Sequence, residues 1–168
     1  LEFRRVLFRS ANNAPAFALL RVEHIAPSPT NPRKTFDPVK LTELANSIKA
    51  SGLHQHILVR PLPGALVADT ARGVIYEIVA GERRYRASVQ AGLSHIPAMV
   101  REMTDSQVLE CQLIENLQRD DLHPLEEADG YAQLLRKPEG LQGYATLAEL
   151  AARIGRSVSY VRQRVQLL

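Results

Sequence analysis

The chain carries one cysteine, Cys111, in 168 residues. A single thiol excludes an internal disulfide framework and fits a reducing compartment. Its place in the middle of a helical segment points to a buried structural thiol rather than a nucleophile. No apolar run is long enough to span a membrane. The five histidines are scattered, and no Cys/His cluster has metal-ligand spacing. No internal repeat or low-complexity tract stands out. A surplus of charge is also missing once the start of the chain is set aside. The formal net charge is +3, but Leu1-Glu2-Phe3-Arg4-Arg5-Val6-Leu7-Phe8-Arg9-Ser10 join abruptly to a plausible protein start. Residues 1–10 read as vector- or adapter-derived and carry three arginines and one glutamate, +2 of the +3. The remainder is nearly neutral, so nucleic-acid binding has to rest on local patterning.

What is present is ordinary for a soluble globular protein: 45% hydrophobic and 23% charged residues, in a length that allows one or two small domains. Residues 11–18 read as a flexible lead-in, followed by a short strand near Leu19–Val22. Pro27, Pro29 and Pro32 force an extended loop. Asp37 caps a helix with Pro38 at its first position, Leu41, Leu44, Ala45 and Ile48 repeat at helical spacing, and Gly52 stops it. Strands are expected at 57–62, 74–80 and around Ile96–Val100, with a loop or hairpin over 63–73. From Thr104 the pattern becomes helical. Thr104 and Gln107 form a capping box, Leu109, Leu113 and Leu117 a stripe. Pro124 begins another helix with Leu125, Ala128, Ala132 and Leu135 on one face, and a turn follows around Gly140 and Gly143. The fold class is α+β: an α/β module over 19–103, then a helical module over 104–168.

The richest stretch is Gly81-Glu82-Arg83-Arg84-Tyr85-Arg86-Ala87. It joins a strand to a helix through a glycine, which lets backbone approach a ligand closely. Three arginines crowd the first turn or so, where the helix dipole repels cations and only Glu82 offsets them. A multiply charged anion such as a phosphate chain turns that liability into a binding site. An exposed basic turn paired with carboxylates elsewhere is the alternative.

Two further segments carry chemistry. Glu115-Asn116 places a carboxylate beside an amide near the end of the helix that starts at Thr104. Mg²⁺ at nucleotides takes one or two protein oxygens with phosphates and water, though such residues also end helices as plain surface. Over 146–168, Leu147, Leu150, Ala151 and Ile154 face inward, Gly155 makes a tight turn, and Ser157 caps a second helix. That helix buries Val161, Val165 and Leu168. The arrangement resembles a helix-turn-helix with Ser159, Tyr160, Arg162, Gln163 and Arg164 outward, toward phosphates and base edges. An ordinary helical hairpin with a basic face is equally open.

These segments, in this order and spacing, resemble the ParB family of chromosome and plasmid partition proteins from about residue 20 onward. Gly52-Leu53-His54-Gln55-His56-Ile57-Leu58-Val59-Arg60, the Gly81 to Ala87 motif, and Glu115-Asn116-Leu117-Gln118-Arg119 running into Leu122-His123-Pro124-Leu125-Glu126-Glu127-Ala128 carry the likeness. The resemblance implies a ParB/sulfiredoxin-like N-terminal module that binds CTP with Mg²⁺. It also implies a DNA clamp on a parS-like centromere site that slides after closing, slow CTP hydrolysis that reopens it, and a ParA-type partition ATPase as partner. It implies self-association through N-terminal modules and a C-terminal domain that this chain lacks, and a cytoplasmic, nucleoid- or plasmid-associated location. Carried over, the nucleotide contacts are Arg33, Gly52, Gln55, Gly81, Glu82, Arg83, Arg84, Glu115 and Asn116. Glu115 and Asn116 handle Mg²⁺, and Ser157, Ser159, Tyr160, Arg162, Gln163 and Arg164 face DNA. Asn31 and Glu82 are the candidates for hydrolysis. Asn31 stands where the family pattern Asn-Pro-x-Gln-Pro-Arg has Gln; one methylene shorter, it implies retained binding and slower turnover. His56 replaces a usual proline, which is expected to loosen its turn. Ending at Leu168, the chain reads as truncated, with weak parS affinity.

Two other classes stay open. One is an enzyme on the related sulfiredoxin- or free-serine-kinase-like folds, although no dedicated nucleophile is evident. The other is a transcriptional regulator or nucleoid-occlusion paralogue that reads a different DNA site.

Overall fold

The computed structural model describes residues 15–62, 73–119, 122–136, 144 and 146–168. Residues 1–10, the first part of the lead-in at 11–14, the connection at Pro63-Gly64 and Arg72, and the turn at Gly140 and Gly143 lie outside them.

Five strands and six α-helices are formed among the described residues. The strands are β1 (Ala16–Arg21), β2 (Ile25–Ala26), β3 (Ile57–Pro61), β4 (Tyr76–Ala80) and β5 (His95–Val100). They make one mixed sheet in the order β1-β5-β3-β4-β2. β1 runs antiparallel to β5 and β4 antiparallel to β3; β3 runs parallel to β5, and β2 parallel to β4. β1 starts at Ala16, so residues 16–18, expected in the lead-in, are strand. Pairing in register from Ala16 opposite Val100 to Arg21 opposite His95 extends it, a long-range effect invisible in local composition.

The helices are α1 (Pro38–Ser51), α2 (Glu82–Gln90), α3 (Asp105–Leu117), α4 (Pro124–Leu135), α5 (Leu147–Ile154) and α6 (Val158–Val165). Their starts follow local chemistry. Asp37 Oδ1 accepts from the amides of Val39 and Lys40 at 2.9 and 3.3 Å. The Thr104–Gln107 box closes in both directions, at 3.0 and 3.3 Å. Thr146 and Ser157 cap α5 and α6, and Gly155 joins these two helices in the left-handed region at φ 70°.

Among the described residues, three clusters make the core. Ile25, Ile57, Val59, Ile78, Ile96 and Ala98 fill the sheet face, and Ala45, Ile48 and Ala87 lock α1 against α2. Leu113, Leu117, Tyr131, Leu134, Leu150, Ala151, Ile154 and Val161 form the helical core, which α3 shares. The α4 face differs from expectation: Leu125 is 50% exposed, while Tyr131 and Leu134 are buried. Leu168 lies beyond the end of α6 and is exposed rather than buried. A buried ion pair ties the sheet to α3. Arg60 on β3 bonds Glu77 on β4 at 2.6–2.7 Å, and reaches Asp105 at 2.6 Å and the Met103 carbonyl at 3.2 Å. Burial alone would lower the pKa of this guanidinium; its bonds to Glu77 and Asp105 outweigh that and raise it.

Candidate functional site

A cavity of about 530 Å³ opens where the loop after β2, the end of α1, the start of α2 and one face of α3 meet. Asn31, Arg33, Gly52, Gln55, Gly81, Glu82, Arg83, Arg84, Glu115 and Asn116 all line it. Every residue expected at the nucleotide, at the metal or in hydrolysis is thus brought to one concave surface. The volume is within the range of small-ligand sites, about 300–1,000 Å³.

Gly81 sets the corner. It caps α2 in the left-handed region at φ 93°, and a Cβ there would meet Ile57 Cγ2 at 3.0 Å. A side chain would be strained by the backbone angle and pressed against β3, so α2 can begin this close to the sheet only on glycine.

The arginines divide their tasks. Arg86 does not line the cavity: it donates from Nε and Nη2 to Glu82 Oε1 at 2.8 and 2.6 Å and lies 4.5 Å from the Phe36 ring. Arg33 lies over the same ring at 5.3 Å. Arg84 donates Nη1 to the carbonyl of His56. His56, expected to loosen its turn, is held by that bond and by its ring packed edge-on to Phe17 at 4.8 Å. Arg83 is half-buried and makes no hydrogen bond or ion pair among the described residues. The basic first turn therefore contains one structural cation, Arg86, and two that border the cavity. Glu82 is buried, with its other oxygen accepting from Asn31 Nδ2 at 2.5 Å.

On α3, Glu115 and Asn116 face the same space. Desolvation by the cavity walls pushes the Glu115 carboxyl up; Arg84 and Arg33 oppose this, and Glu82 adds to it. Asn116 Oδ1 accepts from Arg119 Nη1 at 3.2 Å.

Residues not anticipated from sequence also border the cavity, among them Phe36, Ser47, Gln112 and Arg119. Gln112 had a signal: it lies three residues before Glu115 on the same face of α3. Arg119 lies two residues beyond the end of that helix, three after Asn116. Phe36 and Ser47 had none, since only tertiary packing delivers them.

The second surface is α6. Ser157, Ser159, Arg162 and Gln163 are exposed, as expected of outward positions. Tyr160 and Arg164 are not outward. Both are half-buried and turned to Glu127 on α4. The Tyr160 hydroxyl donates to Glu127 Oε2 at 3.1 Å, Arg164 Nε pairs with the same oxygen at 2.9 Å, and the Tyr131 hydroxyl donates to Oε1 at 2.5 Å. The buried carboxylate of Glu127 draws in both side chains, which helical spacing alone placed with the solvent face.

The chain is similar to known proteins in sequence and in fold. The family model described as the ParB N-terminal domain matches residues 9–117. Chromosome-partitioning protein Spo0J of Thermus thermophilus is 47% identical over 149 residues, 89% of this chain and 49% of that one. The chain spans about half the length of the curated relatives it matches. A C-terminally truncated chromosome-partitioning protein ParB from Caulobacter crescentus, solved with the centromeric parS site, is 43% identical with a TM-score of 0.72, covering 89% of this chain and 71% of that one. The C-terminally truncated Caulobacter protein solved with CTP-gamma-S gives a TM-score of 0.54 at 43% identity, covering 90% and 78%. A family match across the α/β module through the end of α3, joined to this identity and fold agreement, places the chain in the ParB N-terminal domain family.

Proposed function

We propose that this chain is the nucleotide- and DNA-binding part of a partition protein: a CTP-dependent clamp that binds a parS-like site and then slides. One observation carries the reading. The two short motifs that would hold a triphosphate lie 33 residues apart, counted from Glu82 to Glu115, and border one cavity with Asn31 and Arg33 from the loop. Arg33, Arg83 and Arg84 are the phosphate contacts, with charge-assisted donors suited to oxyanions. Gly52 and Gln55, at the far side of the α1 end, border the base and sugar. That a related ParB was solved with CTP-gamma-S and with parS supports the ligand classes.

Mg²⁺ suits this donor set. Among the described residues no three His, Cys, Asp or Glu side chains gather as a metal cluster. A magnesium ion on a nucleotide needs only one or two protein oxygens, and Glu115 with Asn116 would supply them. When bound it would neutralise phosphate charge. The protein's own contribution is to orient the phosphates at the start of α2 and to hold Glu82 beside Asn31. Asn31, short by one methylene and bonded to Glu82, goes with slow turnover.

DNA would be met through Ser157, Ser159, Arg162 and Gln163, with Tyr160 and Arg164 holding the helix from behind. Self-association through N-terminal modules, a ParA-type partner ATPase and a division of labour at about residue 103 complete the proposal. Among the described residues no helix is long and apolar enough to cross a membrane.

The test is calorimetric titration of the chain with each of the four ribonucleoside triphosphates in Mg²⁺. CTP is expected to bind in clear preference. Equal binding of all four, or none, sinks the proposal.

A further inference from the structure

We propose that Phe36 is a positioning residue of this cavity: its ring supports the Arg33 guanidinium and keeps it set for the phosphates of the bound nucleotide. This rests on the reading of the cavity as a nucleotide site and adds a residue outside its motifs. Phe36 is half-buried and lines the cavity with Arg33. Two guanidiniums meet its ring, Arg86 at 4.5 Å and Arg33 at 5.3 Å from the ring centre. Arg86 is itself fixed by two bonds to Glu82, whose carboxylate is buried. The order Glu82, Arg86, Phe36, Arg33 therefore runs from a buried anchor to the cavity wall.

The charge of Arg33 is felt inside the cavity, where it lowers the pKa of the Glu115 carboxyl against the effect of desolvation. The backbone of Arg33 is held by Asn31 Oδ1, which accepts from its amide at 3.0 Å, and its Nε donates to the Thr35 carbonyl at 3.3 Å. The ring adds a support for the guanidinium plane, which attracts a cation by its face. A long side chain ordered before the ligand arrives does not lose that freedom on binding, so pre-ordering raises affinity. Phe36 also stands directly before the Asp37 cap, where an apolar side chain can staple the first turns of α1. A staple needs bulk alone and leaves the two cations at the ring unexplained.

The experiment measures CTP affinity in Mg²⁺ by calorimetry, with thermal unfolding of each unliganded protein. It uses the unaltered chain, Phe36→Leu, Phe36→Tyr, and Arg33→Gln with and without Phe36→Leu. Leucine keeps the apolar bulk and removes the aromatic face, so Phe36→Leu is expected to lose about three- to tenfold in affinity, the worth of one cation–π contact. Phe36→Tyr keeps the face and should bind as the unaltered chain does. In Arg33→Gln the ring has no cation to aim at the ligand, and adding Phe36→Leu should cost nothing further. Unchanged affinity in Phe36→Leu overturns the assignment. So does an equal loss in Phe36→Leu and Phe36→Tyr with a lowered midpoint in both, the mark of a staple. An undiminished loss on the Arg33→Gln background shows the ring touching the ligand itself and overturns the positioning role. Absence of binding by the unaltered chain overturns the nucleotide reading and this assignment with it.

Discussion

Asn31 Nδ2 donates to Glu82 Oε2 at 2.5 Å, which fastens the proline-rich loop to the first residue of α2. Asn31 Oδ1 accepts from the Arg33 amide at 3.0 Å, so one side chain shapes the loop and anchors it. Replacing it with alanine removes a hydrogen bond to an ionised acceptor, worth about 1.5–3 kcal/mol. Asn31→Ala is expected to shift the urea midpoint downward and to weaken nucleotide binding through a loosened loop. Asn31→Asp should be worse, because it sets two carboxylates against each other. An unchanged midpoint in Asn31→Ala would show that the bond contributes nothing net.

The division among the arginines predicts opposite phenotypes for residues three apart. Arg83→Ala removes a cation without a protein partner among the described residues, so unliganded stability should be unaltered. CTP affinity should fall about ten- to a hundredfold, as for loss of a charged phosphate contact. Arg86→Ala strips the buried Glu82 of its counter-charge, and should lower the unfolding midpoint whether or not ligand is present. Paired calorimetry and thermal unfolding separate the two. Equal effects of both variants on stability would contradict the assignment.

The raised Glu115 carboxyl gives a pH signature. The folded chain keeps this proton to higher pH than the unfolded chain. Between the ordinary carboxylate value and the raised one, the folded state binds more protons, so this group makes stability fall as pH rises. Glu115→Gln should flatten that part of the profile in the unliganded protein, followed by thermal unfolding from about pH 4 to 7. Binding of the Mg²⁺ nucleotide needs the ionised form and should weaken as pH falls through the raised value. Superimposable profiles for both proteins would rule the contribution out.

Glu127 is the hinge pin of the helical module. Tyr131 is 1% exposed, and its hydroxyl ionises above the ordinary range, through burial first and the Glu127 carboxylate second. Glu127→Ala leaves that hydroxyl buried without its acceptor and should destabilise the chain by about 1–3 kcal/mol. It also releases Tyr160 and Arg164, so DNA binding should fall with stability. Arg162→Ala, on the exposed face, should weaken DNA binding with no change in urea unfolding and flatten the salt dependence by about one ion. Full DNA affinity in Arg162→Ala would move the DNA surface elsewhere.

Features that neighbouring residues settle among themselves were legible in the chain as written. The Asp37-Pro38 start, the Thr104–Gln107 box and the Ser157 cap all act within four residues, where side chain and backbone meet whatever the rest of the fold does. The three motifs could be picked out as local patterns, but their convergence on one site was implied only by the family resemblance. Folding alone decided which partner each charged or polar side chain would find. Asn31 meets Glu82 across 51 residues, Thr30 meets Gln112 across 82, and Tyr160 meets Glu127 across 33. Helical spacing placed Tyr160 and Arg164 with the solvent, and the crowding of cations at a helix start grouped Arg86 with Arg83 and Arg84. Buried carboxylates claimed all three, because an ionised group removed from water takes the nearest donors that packing delivers.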